Sequence, residues 1–257
     1  MSELFAARGL ARRFGGVVAL DAVEVLQNRG ETLGMIGPNG SGKTSFVNAV
    51  TGHLRLDRGQ VTFAGRRITG LRPHQVAAAG LTRTYQAVRT FSRLTVAANL
   101  ETARLMHGGE TNAAAGGDEG EVLEWLRLGH RLDTEAGALT LFEQRRLELA
   151  MRLVLKPHLI MLDEPVGGLA PQEVRDMMQV LQELKARCTL FVIEHTMKVI
   201  RELADRVVVL IAGQKIADGP PLEILKDRRS GIWLRVLEAA FVRMPCLAPS
   251  WDRQVRW

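Results

Sequence analysis

Two short stretches carry residue types at spacings that could handle a phosphate chain. In "GPNGSGKTS", Gly37, Gly42, Lys43 and Thr44 fall at the spacing G-x-x-x-x-G-K-[ST], between the apolar run "ETLGMIG" and the helical stretch "KTSFVNAVTG". Such glycines let the backbone wrap a phosphate chain, the helix N-terminus favours its negative charge, and Lys43 can reach the terminal phosphates. Gly37, Pro38, Asn39, Gly40, Ser41, Gly42, Lys43, Thr44 and Ser45 together form the expected cradle, with the Thr44 hydroxyl available to Mg²⁺. In "LIMLDEP", an apolar strand ends in Asp163, suited to hold Mg²⁺, and Glu164, suited to polarise an attacking water. A cradle together with an acid pair implies ATP hydrolysis.

Groups so far apart in sequence need a frame that gathers them. "HLIMLDE" and "TLFVIEH" are apolar runs ending in acidic or histidine residues, as parallel strands do when their carboxyl ends line a site. Helices alternate with these runs, which implies a wound α/β sheet. Earlier segments, "ELFAARGLARRF", "GVVALDAVEVLQ" and "QVTFAG", read as short strands with turn signals between them. The helix of the cradle should close at Gly52. Beyond Phe142, Leu147, Ala150, Met151 and Val154 mark one face of a helix that Pro157 stops. "GGETNAAAGGDEG", near 108–120, reads as a flexible excursion between two helical patches.

Length and composition set the outer limits. At 257 residues, with 46% hydrophobic and 24% charged residues, the chain suits a single α/β domain with subdomains. No apolar run approaches a membrane-spanning length, and "MSELFAARGLARRF" has no signal-peptide apolar core, so a cytosolic location is expected. Cys188 and Cys246 form neither a disulfide framework nor a metal pattern. The net charge is +6, but residues 226–257 alone hold seven Lys/Arg against three acids, so no general nucleic-acid face is indicated.

The remaining motifs make the chain resemble the ATP-binding cassette transporter ATPases from about residue 3 to 225. The resemblance implies a P-loop ATPase core with a mostly parallel wound sheet, an N-terminal antiparallel β subdomain and an inserted helical subdomain at about 87–156. "TRTYQAVRTFSRLTVAANL" is similar to the family's Gln loop, with Gln86 at the metal and the following segment at the membrane subunit. "VIEHTM" places His195 where the family contacts the γ-phosphate, and Phe14 in "RRFGGVVAL" matches the aromatic that stacks on adenine. "FGGVVAL", "FVNAVTGHLRLDRGQVTFAGRRITGL", "QRRLELA" and "IEHTM" look most like the branched-chain amino-acid importer ATPases. That likeness implies ATP and Mg²⁺ as ligands. It also implies transmembrane permease subunits, a second ATPase chain, a solute-binding protein acting indirectly, and a place on the cytoplasmic face of the inner membrane. A GTPase would want N-K-x-D, and a translation or repair ATPase tandem cassettes or a long coiled coil; the chain carries none of these.

The chain also departs from the family. "LTLFEQ", residues 139–144, stands in place of L-S-G-G-Q: Thr140 keeps the hydroxyl that would act in trans on a partner's ATP, but Phe142 replaces the second glycine. Glycine lets backbone approach closely, and a phenyl ring would obstruct that approach unless it turns aside. "GGLAPQ" likewise offers Ala170 where the family carries Asn or Asp. Both changes would act on the partner's nucleotide, which favours a heterodimer over a homodimer. The alternative is a regulatory cassette with little turnover. The segment 226–257, with three of the four tryptophans, extends past the resemblance and could dock at a membrane interface or a partner.

Overall fold

A computed structural model describes residues 2–105 and 119–226. The glycine-rich stretch expected near 108–120 falls almost wholly outside the described residues, as do Cys246 and all of the C-terminal segment beyond Lys226.

Two sheets organise the fold. Long strands β1 (Glu3–Phe14) and β2 (Val17–Asn28) pair as a hairpin, and β4 (Arg58–Phe63) and β5 (Arg66–Arg67) complete a four-stranded sheet of order β2-β1-β4-β5. Its ladders are antiparallel. The second sheet has six strands in the order β10-β9-β3-β8-β7-β6, from β10 (Gln214–Gly219), β9 (Arg206–Ile211), β3 (Thr32–Ile36), β8 (Thr189–Ile193), β7 (Leu159–Asp163) and β6 (Leu81–Arg83). All its neighbours run parallel except β10 against β9. Strands β3, β7 and β8 are buried along their whole length, which is why they read as unbroken apolar runs.

Helix α1 (Lys43–Val50) lies between the sheets and is locked there by three phenyl rings. Phe46 stacks on Phe191 of β8 at 5.7 Å and meets Phe5 of β1 edge-on at 6.4 Å. Phe5 and Phe191 close the triangle at 6.3 Å, and all three rings are 0% exposed. Gly52 ends the helix in the left-handed region, where a Cβ would lie 2.3 Å from the Leu71 carbonyl oxygen.

Between β6 and β7 the chain leaves the sheet. Helix α2 (Pro73–Ala78) precedes β6; after it come α3 (Val96–Leu105), α4 (Glu119–Trp125) and α5 (Leu141–Leu153). Leu100, Leu126, Leu128, Leu147 and Ala150 bury this helical part against the far face of the sheet. Helices α6 (Pro171–Lys185), α7 (Met197–Leu203) and α8 (Pro221–Lys226) complete the described chain. Cys188 is buried among these apolar groups and its thiol is pushed up to about 12, in keeping with an inert packing residue.

Because Phe191 touches both other rings, Phe191→Ala should cost about 3–5 kcal/mol of stability. Equilibrium denaturation would show it as an earlier midpoint with an unchanged slope; an unmoved midpoint would mean that α1 is anchored by other contacts.

Candidate functional site: a phosphate cradle facing two carboxylates

The cradle begins where β3 ends. Gly42, at the entry to α1, has φ +106, and a Cβ there would sit 2.4 Å from the Ala19 carbonyl oxygen of β2. Only glycine lets the loop pass this close to the hairpin. Gly213 N–H donates to the Ser41 carbonyl at 2.9 Å, so the turn between β9 and β10 holds the loop from its other side. The Lys43 ammonium donates to the Gly37 and Pro38 carbonyls at 2.7 and 3.0 Å. Burial lowers the Lys43 pKa, and the charges of Glu164 and Asp163 oppose that. The Ser41 hydroxyl is buried with no hydrogen-bond partner among the described residues. Thr44, Asn39 and Gly40 are exposed at the mouth. A loop built on glycine, with an ammonium and an unpartnered buried hydroxyl, fits a phosphate chain.

The acids stand opposite. Asp163 is the last residue of β7, and the neighbouring Glu164 adopts φ +50, uncommon for a residue with a side chain and worth about 1–3 kcal/mol of local strain. Two bonds hold it there: Glu164 N–H donates to the Ile193 carbonyl at 2.9 Å, and the Glu164 carbonyl accepts from Gly167 N–H at 3.0 Å. The Glu164 carboxylate then meets two of the residues expected at the site. Gln86 Nε2 donates to it at 2.9 Å, and His195 Nδ1 lies 3.5 Å from its other oxygen. The fold therefore brings Lys43, Gln86, Asp163, Glu164 and His195 together across four separate loops.

Phe14 lies apart from these, at the end of β1 on the hairpin that abuts the cradle. It is 47% exposed, with the Arg12 guanidinium 4.9 Å over its ring. The exposed part of the ring presents an aromatic surface of the kind that stacks on a planar base.

The signature segment takes a form that differs from the simple expectation. Thr140 caps α5: its hydroxyl accepts Glu143 N–H at 3.2 Å while Glu143 accepts Thr140 N–H at 2.9 Å, a reciprocal pair that needs Glu at 143. The Phe142 ring turns aside onto the molecule's own core, with the Arg146 guanidinium 5.0 Å over its face. The exposed apolar side chain at the helix tip is Leu141, 41% exposed, beside Gly168.

Three groups in the site escape the motif reading. Arg83 ends β6, buried, and donates to Asp163 at 3.1 Å and to Asn48 of α1 at 2.6 Å. Burial raises the Asp163 pKa and Arg83 draws it back. Glu194, fully buried, accepts Val166, His195 and Thr196 N–H at 3.2–3.3 Å, pinning the loops after β7 and β8 to each other. Glu148 of α5, 1% exposed, accepts Tyr85 and Arg89 N–H on either side of Gln86, both at 3.3 Å. For Glu148 the available signal is a charged residue inside an otherwise apolar periodicity, which does not tell a buried tie from a solvated face; Glu194 closes the apolar run "TLFVIEH" without saying which amides it meets.

Burial pushes the Glu148 carboxyl from 4.5 up to about 7, against the pull of Arg152, the two amides and Arg145. The folded chain therefore holds this proton more tightly than the unfolded chain, and stability falls as pH rises from about 4.5 to 7. Glu148→Gln removes that loss, so the variant should gain on the wild type between pH 5 and 8 by at most about 3 kcal/mol. Denaturation of both proteins at the two pH values tests this; a constant difference would show that Glu148 titrates normally.

A family model described as "ABC transporter" matches residues 20–167. The chain is 36% identical over 233 residues to the high-affinity branched-chain amino acid transport ATP-binding protein BraF of Pseudomonas aeruginosa, covering 84% of this chain and 91% of that protein. It is 34% identical to the corresponding protein LivG of Escherichia coli, covering 86% of this chain and 93% of LivG. Among solved structures, the ADP conformation of an ATP-binding cassette of an ABC transporter superposes with a TM-score of 0.80 at 29% identity, covering 95% of this chain and 100% of that one. By these likenesses, over most of its length, the chain belongs to the ABC transporter family, as one of its ATP-binding and ATP-hydrolysing subunits.

Proposed function

We propose that this subunit powers an importer for branched-chain amino acids or related small solutes. The observation that carries the reading is the meeting of Gln86 and His195 on the Glu164 carboxylate, with Asp163 on the adjoining residue and Lys43 within electrostatic reach. The likeness to BraF and LivG over most of the chain supports the choice of solute. No described helix is long and apolar enough to cross a membrane. This is in keeping with a peripheral subunit on the cytoplasmic face, docked through the Gln-loop region to transmembrane permeases that a solute-binding protein feeds.

In this reading residues 3–225 form one nucleotide-binding unit, with the helical part at about 87–156. Residues Gly37 to Ser45 cradle the phosphates, Lys43 meets the terminal ones, and Phe14 stacks on adenine. Thr44, Asp163 and Gln86 would hold Mg²⁺, which, when bound, supplies charge neutralisation at the phosphates. One or two protein oxygens suffice for that ion, since the phosphates complete its shell. Glu164 orients the attacking water and takes up its proton, and His195 contacts the γ-phosphate.

The signature segment favours pairing with a second, different ATPase chain. A capped helix tip bearing exposed Leu141, side chains in place of glycine at 141 and 142, and Ala170 in the loop after Glu164 would complete the partner's nucleotide site poorly, while the elements acting on this chain's own nucleotide are intact. Losing one aimed donor costs about 10²- to 10³-fold in rate, so the pair would have one good site.

Two experiments test these statements on the chain assembled with its partners. Glu164→Gln should lower ATP hydrolysis by about 10²-fold or more while nucleotide binding persists; near-normal hydrolysis would remove Glu164 from its role. Leu141→Gly combined with Phe142→Gly should raise turnover of the pair, and unchanged turnover would refute the asymmetric arrangement.

A further inference from the structure

After Thr84 N–H donates to the Met161 carbonyl, the chain leaves the β6 ladder and runs through the irregular segment that bears Gln86. This stretch must find its backbone partners outside the sheet. It finds them on helix α5, from two charged side chains one turn apart on its buried face. Glu148 accepts the Tyr85 and Arg89 amides at 3.3 Å each. Arg145 donates to the Gln86 carbonyl at 3.4 Å and to the Gly167 carbonyl at 2.6 Å. The same helix thus grips the loop on both sides of Gln86 and the loop that follows Glu164. A small cavity beside Arg145 and Glu148, lined also by Thr84, Leu149, Leu162 and Pro165, lies next to these contacts. The site chemistry depends on the result, because the Gln86 carboxamide stands 2.9 Å from the Glu164 carboxylate only while its backbone stays in place.

We propose that Glu148 is a positioning residue for ATP hydrolysis: by holding the amides on either side of Gln86 to α5, with Arg145 tying in the loop after Glu164, it sets the Gln86 carboxamide against the Glu164 carboxylate. This rests on the roles given above to Gln86 and Glu164.

The test measures kcat and KM for ATP on the full chain assembled with its partners. The variants are Glu148→Ala, Glu148→Asp and Glu148→Gln, with Glu148→Ala repeated in a Gln86→Ala background. Asp keeps the carboxyl group but withdraws the acceptor by one methylene; Gln keeps the reach and a carbonyl that can take both amides. The Ala and Asp variants should lose about 10- to 100-fold in kcat, as supporting residues commonly do, with KM little changed. Gln should restore kcat close to wild type. Once Gln86 is alanine, Glu148→Ala should cost little more, because both changes remove one action. If the Ala variant does not fold, the contrast between Asp and Gln decides. Wild-type kcat in a folded Asp or Ala variant, a loss confined to KM, additive losses with Gln86→Ala, or a Gln variant as damaged as Ala would each overturn the proposal. A Glu164→Gln control separates the two levels. If that control hydrolyses ATP normally, the underlying site reading fails; if it is inactive while the Glu148 variants are normal, only this inference does.

Discussion

Four parallel strands that release their chains at nearly the same level decide almost everything about this molecule. β3, β8, β7 and β6 lie side by side, with Met35 opposite Ile193, Asp163 opposite Ile193, and Arg83 opposite Met161. At their carboxyl ends the chain turns into the cradle, the His195 loop, the Glu164 loop and the Gln86 loop in that spatial order. Regular backbone pairing sets the strand spacing, so four loops distant in sequence start side by side at one edge of the sheet. A one-residue slip of any of these strands would turn its own side chains to the other face of the sheet.

The second requirement is stiffness. Buried apolar strands fix where the loops begin, but loops carry their own backbone donors, and these have to be satisfied without a sheet. The chain answers with buried charge: Glu194 under the loops after β7 and β8, Arg83 against Asp163, and Glu148 with Arg145 under the Gln loop. Desolvating such groups is costly unless each finds partners, and the raised Glu148 and Asp163 pKa values record that cost. The strained φ of Glu164 belongs to the same arrangement, since the Ile193 and Gly167 bonds over-determine a conformation a lone carboxylate residue would leave.

The signature segment shows how one replacement can alter another's meaning. Phenylalanine in place of a glycine suggests a ring thrust toward the partner. Arg146, one turn along α5, instead draws the ring down onto the helix, and the Thr140–Glu143 capping pair closes the tip. Leu141, the less conspicuous residue, is left facing outward. The alternative of a regulatory cassette with little turnover gains no support from the relatives, whose names describe transport ATP-binding proteins.

What the sequence by itself determined is local chemistry and local form. The spacing from Gly37 to Thr44, the acid pair closing an apolar strand and the helix stop near Gly52 are set by neighbours within a few residues, where backbone freedom and periodicity act. Strands β3, β7 and β8, long enough and apolar enough to be buried on both faces, were legible for the same reason. Only the tertiary structure decided which charged residues are buried and whom they meet: Arg83 with Asp163, Glu148 with the amides beside Gln86, and the Phe142 ring with Arg146 rather than open space. Those outcomes depend on partners tens of residues away and on the exclusion of water between them, and an amino-acid letter carries its charge but not its dielectric surroundings.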